Sequence, residues 1–222
     1  MIGIIGGTFD PIHFGHLRPA LEIAEQFDLD EVRFIPSANP PHRWKPIASA
    51  EHRLNMVKLA VEGFPLFTVD DREYHRQGSS YTVDTLQSIV NEEDIDKEQA
   101  DEESATPSLL MMLGLDAFQS FTQWRDWQKV LELTHIVVST RPGYSLENAD
   151  KWMQGRVVSS ISELKQKQAG CIFFSEVTAL DISATSIRKQ LFNGTSPRFL
   201  MPEKVVDYIE QHDLYNATVS GK

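Results

Sequence analysis

The sequence predicts an α/β domain in which a mostly parallel sheet carries helices on both faces, with a small C-terminal helical part. Short apolar runs recur at Gly3 to Ile5, Val32 to Pro36, Phe67 to Val69, Leu109 to Leu113, Ile136 to Ser139 and Ile172 to Ser175. Amphipathic stretches fall between them, around His16 to Phe27, Ala50 to Gly63, Thr82 to Val90, Asp116 to Leu133 and Ile161 to Gln168. That alternation is the rhythm of βαβ units. The third observation is GGTFDPIHFGH, Gly6 to His16, which leaves the first apolar run and leads into the first helical one.

Each part of that segment has a physical use. Met1 to Ile5 forms the first strand, Gly6 and Gly7 allow a tight turn, and His13 and His16 stand three residues apart where a helix begins. A strand passing through glycines to a helix start presents free backbone N–H groups and a positive dipole end, and two imidazoles add side-chain donors. The arrangement suits phosphate. It also lies at the carboxyl end of a strand, where open α/β sheets bind ligands at the point of topological reversal.

A chain of 222 residues with 41% hydrophobic content fits one domain over 1–222 with an ample core. No basic segment followed by an apolar one opens the chain, and no apolar run approaches the roughly 18–20 residues that span a bilayer, so a cytoplasmic protein with no membrane partner is expected. The single cysteine, Cys171, excludes an internal disulfide and a cysteine-based zinc cluster, and its setting GCIFFS reads as a buried strand. The net charge of −11 argues against a general nucleic-acid binder. Much of it sits in Asn91 to Ser104, with eight acids and one lysine, and a solvated loop over 91–106 is expected there. No glycine-punctuated calcium-loop spacing appears in it. A polar tail, 216–222, is expected to fray.

A second anion site is written in DISATSIRKQLFNG, Asp181 to Gly194. Ser183 can cap a helix whose apolar positions Ile187 and Leu191 lie four apart and whose end is marked by Gly194, opening a C-terminal helical part over about 183–215. Arg188 lies one turn inside. It can reach back toward an anion held by free N–H groups and the hydroxyls of Ser183, Thr185 and Ser186. Alone, this is most simply a capped helix with a surface arginine. Two such helix starts in one domain shift the balance, because a polyphosphate needs several grips.

These residues resemble a known family. GGTFDPIHFGH is similar to the HxGH signature of nucleotidyltransferases, and ISATSIR to the ISxTxxR element that this superfamily places on the triphosphate. Within it the chain most resembles the bacterial nicotinate-nucleotide adenylyltransferases. The likeness extends to NPPHR at Asn39 to Arg43, SYTVDTL at Ser80 to Leu86, GLDAF at Gly114 to Phe118, WRDW at Trp124 to Trp127, RPGY at Arg141 to Tyr144, and a final helix ending in DLY. It runs from Met1 to about Tyr215.

The resemblance implies a Rossmann-like nucleotidyltransferase fold and adenylyl transfer from ATP to nicotinate mononucleotide, giving deamido-NAD and pyrophosphate. The mononucleotide's phosphate would attack the α-phosphorus of ATP directly, without an enzyme nucleophile, so catalysis rests on alignment and charge stabilisation. His13, His16 and Arg188 are then the catalytic residues. Gly6, Gly7, Thr8, Phe9, His42, Arg43, Ser183, Thr185 and Ser186 bind the ATP phosphates, and Lys45 is left unassigned. Tyr81, Thr82, Asp116 and Trp124 serve the mononucleotide, with Trp124 stacking on the pyridine and Thr82 with nearby N–H groups on its carboxylate. Asp116 could equally be the cap of its helix. Trp124 and Trp127, three apart on an expected helix, divide between pocket and core.

The loop PSANPPHRWKP, Pro36 to Pro46, reads as a restrained, charged flap. Mg²⁺ is expected to arrive on the ATP phosphates, with no ligand from the protein. Zinc on His13 and His16 is disfavoured, since no nearby carboxylate or thiol completes a ligand set. Two alternatives are weaker. Transfer to another phosphate such as phosphopantetheine is weakened by SYTVDTL and WRDW, which resemble a pyridine-mononucleotide pocket, and by the extra length; a dinucleotide sensor or oxidoreductase is weakened because no G-x-G-x-x-G follows a strand and the histidines would have no work.

Overall fold

The computed structural model describes residues 1–41, 45–100, 107–144 and 150–216, with the backbone alone over 93–100. Six strands form one parallel sheet: β1 (Ile2–Gly7), β2 (Glu31–Pro36), β3 (Phe67–Val69), β4 (Leu109–Gly114), β5 (His135–Thr140) and β6 (Ile172–Glu176). Their order is β3-β2-β1-β4-β5-β6. Every expected run is a strand; β3 has the expected bounds and the others gain one to three residues. The helices are α1 (Phe14–Phe27), α2 (Ala50–Val61), α3 (Thr82–Ala100), α4 (Leu115–Gln119), α5 (Trp127–Leu133), α6 (Ile161–Lys165), α7 (Ala184–Phe192) and α8 (Glu203–Gln211). No helix among the described residues is long and apolar enough to cross a membrane.

Successive residues of a strand face opposite sides of the sheet, and here both sides are covered. Leu110, Met112 and Val137 pack with Ile23 and Phe27 of α1, Met56 and Val57 of α2, Ile187 of α7 and Val205 of α8. Their neighbours Leu109, Met111, Ile136 and Val138 turn the other way, onto Val83, Leu86 and Ile89 of α3 and Val130 and Leu131 of α5. Cys171 is buried on the first side, as its apolar setting implied.

The sheet grows outward from β1 in both directions. Ile2 pairs with Glu31 on one side and with Leu109 on the other, so the chain reverses between β1 and β4. A crevice at the carboxyl ends of these two strands follows from that topology. The Gly6 to His16 segment leaves β1 at this end.

Two expectations are corrected. The acidic stretch is not a loop from Asn91 onward, because α3 continues to Ala100. Glu, Gln, Lys and Ala are good helix formers, and the exit is held by Arg72 Nη2 donating to Glu92 Oε2 at 2.6 Å and Gln87 Nε2 to Asn91 Oδ1 at 3.0 Å. Residues 101–106 of that expected loop and the tail 217–222 lie outside the described residues. Nor is 116–133 one helix: α4 ends at Gln119, a 3₁₀ turn covers Phe121–Gln123, Trp124 is extended, and Asp126 takes φ 50° before α5. The rings of Phe118, Phe121, Trp127 and Trp152 meet at centroid separations of 5.2–6.3 Å, and this packing overrides the local helical preference.

Candidate active site

The turn after β1 delivers two imidazoles to the first turn of α1. His13 is the N-cap and His16 the third helical residue. His16 Nδ1 accepts the His13 backbone N–H at 3.3 Å, which assigns the neutral tautomer with its proton on Nε2. The two rings stack at 3.8 Å, and the Phe9 ring edges onto His16 at 5.1 Å. His13 is 4% exposed, and its Nδ1 has no hydrogen-bond partner. Burial lowers the His13 pKa to about 4; burial, then the neighbouring His13, lowers that of His16 to about 3. Both are therefore neutral near pH 7, hydrogen-bonding groups rather than fixed cations.

Gly15 has a specific reason to be glycine. A Cβ there would lie 2.8 Å from His13 Nδ1 and 3.1 Å from the Ile182 carbonyl oxygen. The start of α1 thus lies against the residue that precedes the Ser183 cap. Ser183 accepts the Ser186 N–H at 3.2 Å, and α7 begins there as expected.

Arg188 joins the two segments. Its Nη1 donates to the Asp10 carbonyl at 2.6 Å and its Nη2 to Thr185 Oγ1 at 3.3 Å. Motifs at opposite ends of the chain are so brought to one place, with His13, His16, Ser183, Thr185, Ser186 and Arg188 around it. Neither α1 nor α7 has an acidic residue at its cap or in its first turn, whereas α2, α3, α4, α6 and α8 each have one in the first turn and α5 has Asp126 at its cap. Two positive dipole ends are left without a local counter-charge.

Asp10 and Arg53 hold this floor, in roles that no sequence signal announces. The Asp10 carboxylate accepts from Ile47 N (2.8 Å), Ala48 N (3.1 Å) and the Tyr215 hydroxyl (2.7 Å). Arg53, from α2, is 1% exposed, and its Nη1 donates to the carbonyls of Thr8 (2.8 Å) and Ser37 (2.5 Å), its Nη2 to that of Ala38 (3.2 Å). One guanidinium fixes the exits of β1 and β2 together. Gly6 and Gly7 close β1, the Phe9 backbone has φ 48°, and Thr8 is half-buried beside them. His42 and Arg43 lie outside the described residues; Lys45 is exposed.

The mononucleotide candidates sit further along the crevice. Asn39 N donates to Ser80 Oγ at 3.0 Å, Ser80 N to the Asn39 carbonyl at 2.9 Å, and Asn39 Nδ2 to the Gly78 carbonyl at 3.0 Å, which ties the exit of β2 to the segment before α3. Thr82 opens α3, whose first N–H groups have no intrahelical acceptor. Arg125 lies 4.6 Å above the Tyr81 ring and 3.4 Å from Asp84, the acid in that first turn. Trp124 is half-buried at 5.5 Å from Phe121, in the extended link before α5, so it does not share a helix with Trp127. Trp127 packs in the aromatic cluster. Asp116 is not the cap of α4; Gly114 is, and Asp116 lies exposed in the first turn. It lines a cavity of about 440 Å³ with Gly114, Ser139, Arg141, Gly143 and Tyr144, at the ends of β4 and β5.

Comparison with known proteins agrees with this geometry. Residues 4–190 match the cytidylyltransferase-like family model. A protein of Pseudomonas syringae pv. tomato, named a probable nicotinate-nucleotide adenylyltransferase, is 46% identical over 219 residues, covering 97% of this chain and 94% of its own. One of Hydrogenovibrio crunogenus with the same name is 45% identical, covering 97% of each chain. The chain belongs to the nicotinate-nucleotide adenylyltransferase family. Its fold matches that of the Plasmodium falciparum nicotinic acid mononucleotide adenylyltransferase complexed with NaAD, with a TM-score of 0.66 at 19% identity over 96% of both chains.

Proposed function

We infer that the protein transfers the adenylyl group of ATP to nicotinate mononucleotide, giving deamido-NAD and pyrophosphate, a step of NAD biosynthesis. The observation that carries this is Arg188 on the Asp10 carbonyl, which sets the HxGH and ISxTxxR segments side by side at the sheet's reversal point. A mononucleotide phosphate oxygen attacks the α-phosphorus of ATP; the new O–P bond forms as the bond to the bridging β-oxygen breaks, and its electron pair leaves with pyrophosphate. No enzyme-bound intermediate is involved.

In this reading His13 and His16 donate to the phosphates as charge develops, with His16 Nε2–H available because Nδ1 is already occupied. Arg188, the first-turn N–H groups of α7 and the hydroxyls of Ser183, Thr185 and Ser186 hold the leaving pyrophosphate, with Gly6, Gly7, Thr8 and Phe9 beneath it. His42 and Arg43 are assigned to the same phosphates. Mg²⁺ arriving on ATP would neutralise triphosphate oxygens, with its ligands expected from phosphate and water rather than from the protein. The mononucleotide lies over Tyr81, Thr82 and Trp124, with Asp116 toward a ribose.

The test is pyrophosphate release from ATP and Mg²⁺ with nicotinate mononucleotide, nicotinamide mononucleotide or phosphopantetheine supplied separately. Release with nicotinate mononucleotide is expected; release only with phosphopantetheine overturns the assignment. Trp124→Ala is expected to raise KM for the mononucleotide about tenfold, the worth of one aromatic anchor, while that for ATP stays within about twofold. Equal rises for both substrates would place Trp124 in the core instead.

The depressed imidazoles also set a stability profile. The unfolded chain protonates each histidine near 6.5, the native protein only near 4 and 3. Below about 6.5 the unfolded state therefore binds more protons, and stability falls as pH is lowered through that window. Urea midpoints measured from pH 7 to 4.5 should drop less steeply in a His13→Gln, His16→Gln double variant than in the parent. Equal slopes would show that these imidazoles are not the buried neutral pair described.

A further inference from the structure

Asp10 is the point where four separate parts of the chain meet, and one of them is the far C-terminal segment. Its backbone carbonyl takes Arg188, its Oδ2 takes Ile47 N, and its Oδ1 takes both Ala48 N and the Tyr215 hydroxyl. Tyr215 follows α8, is buried, and has φ 63°. Burial, with the Asp10 carboxylate next, raises its phenol far above the usual range, so the hydroxyl stays protonated and donates. Ile47 and Ala48 lead into α2, so the Asp10 carboxylate fixes the approach to that helix while its carbonyl fixes Arg188.

We propose that Tyr215 is a positioning residue for adenylyl transfer, holding the Asp10 carboxylate so that the Ile47–Ala48 segment leading into α2 and Arg188 keep a common register around the triphosphate. This rests on the activity assigned above. Tyr215 touches no substrate and acts through Asp10. The Tyr215 hydroxyl adds a third donor to a carboxylate already held by two backbone N–H groups, and each such charge-assisted bond narrows its orientation. The effect is expected on ATP first, because Arg188 and the turn that carries Asp10 are assigned to its phosphates, whereas Tyr81 and Thr82 reach Asp10 only indirectly, through the Asn39–Ser80 hydrogen bonds, and Trp124 lies in the link before α5.

The experiment compares Tyr215→Phe with Tyr208→Phe. The latter also deletes one part-buried hydroxyl from the C-terminal region, where Tyr208 meets His52 Nδ1 at 2.9 Å and Asn55 Nδ2 at 3.0 Å, away from Asp10. Tyr215→Phe should lower kcat/KM for ATP about tenfold, as loss of one charge-assisted hydrogen bond does, with KM for nicotinate mononucleotide within about twofold. Tyr208→Phe should leave both near the parent values at a similar loss of melting temperature. In an Asp10→Asn background, Tyr215→Phe should add less than about twofold, since residues acting through one another are not additive. Parent-like kinetics for Tyr215→Phe, an equal loss in Tyr208→Phe, or the same factor in both backgrounds would each overturn the proposal. Absence of turnover in the parent protein would instead overturn the activity on which it rests.

Discussion

Replacing His16 with alanine is expected to reduce kcat by about 10²–10³-fold, the usual cost of removing one preorganised donor to developing charge. His16 Nδ1 is committed to the His13 backbone N–H and its Nε2–H is the group left for the phosphates, so the substitution removes the donor from the reacting centre. It also removes an acceptor at the helix start, worth about 1 kcal/mol. The two losses can be separated. A glutamine at the third helical position can accept the N-cap N–H, as in the usual capping arrangement, without presenting the imidazole donor. His16→Gln should thus recover much of the melting temperature and little of the turnover. A folded His16→Ala protein with parent-like kcat would remove His16 from the chemistry.

The largest loss of stability is expected at Arg53. Its guanidinium is buried, and three carbonyl oxygens, of Thr8, Ser37 and Ala38, receive its protons. Arg53→Met keeps the length of the side chain but leaves those acceptors without a donor, at about 1–3 kcal/mol for each that water cannot reach, so a total of about 3 kcal/mol is expected. A lowered urea midpoint at unchanged slope is the measurement. Lysine should rescue it only in part, because one ammonium cannot reproduce a planar fork spanning two strand exits. An unchanged midpoint for Arg53→Met would mean that the carbonyls find other donors.

The strands were legible because parallel strands covered on both faces are short apolar runs, and each of the six apolar runs read from the sequence is a strand. The start of α1 and the Ser183 cap of α7 were legible for a local reason, since caps and turn glycines work within a few residues. Residues 116–133 were not. WRDW contains no glycine or proline to signal a break, and the break follows from rings that meet only after Trp152 has packed on Phe118 and Phe121. Arg53 and Asp10 escaped for a related reason. An arginine whose partners are backbone carbonyls has no complementary residue type to find, and Asp10 meets its hydroxyl partner at Tyr215. In the candidate site, sequence therefore shows the groups that face a phosphate and hides those that hold them from behind.

The same long reach sets an order of assembly. Ile2 in the central strand pairs with Leu109, Asp10 waits for Arg188 and Tyr215, and Gly15 lies against Ile182. Closing such loops costs chain entropy before the contact offers any return, so these ties are expected to form after the nearer pairings of the opening third, β1 with β2 and β2 with β3. The turn after β1 is encoded first, yet its contacts with Ile182, Arg188 and Tyr215 need the last part of the chain to join it.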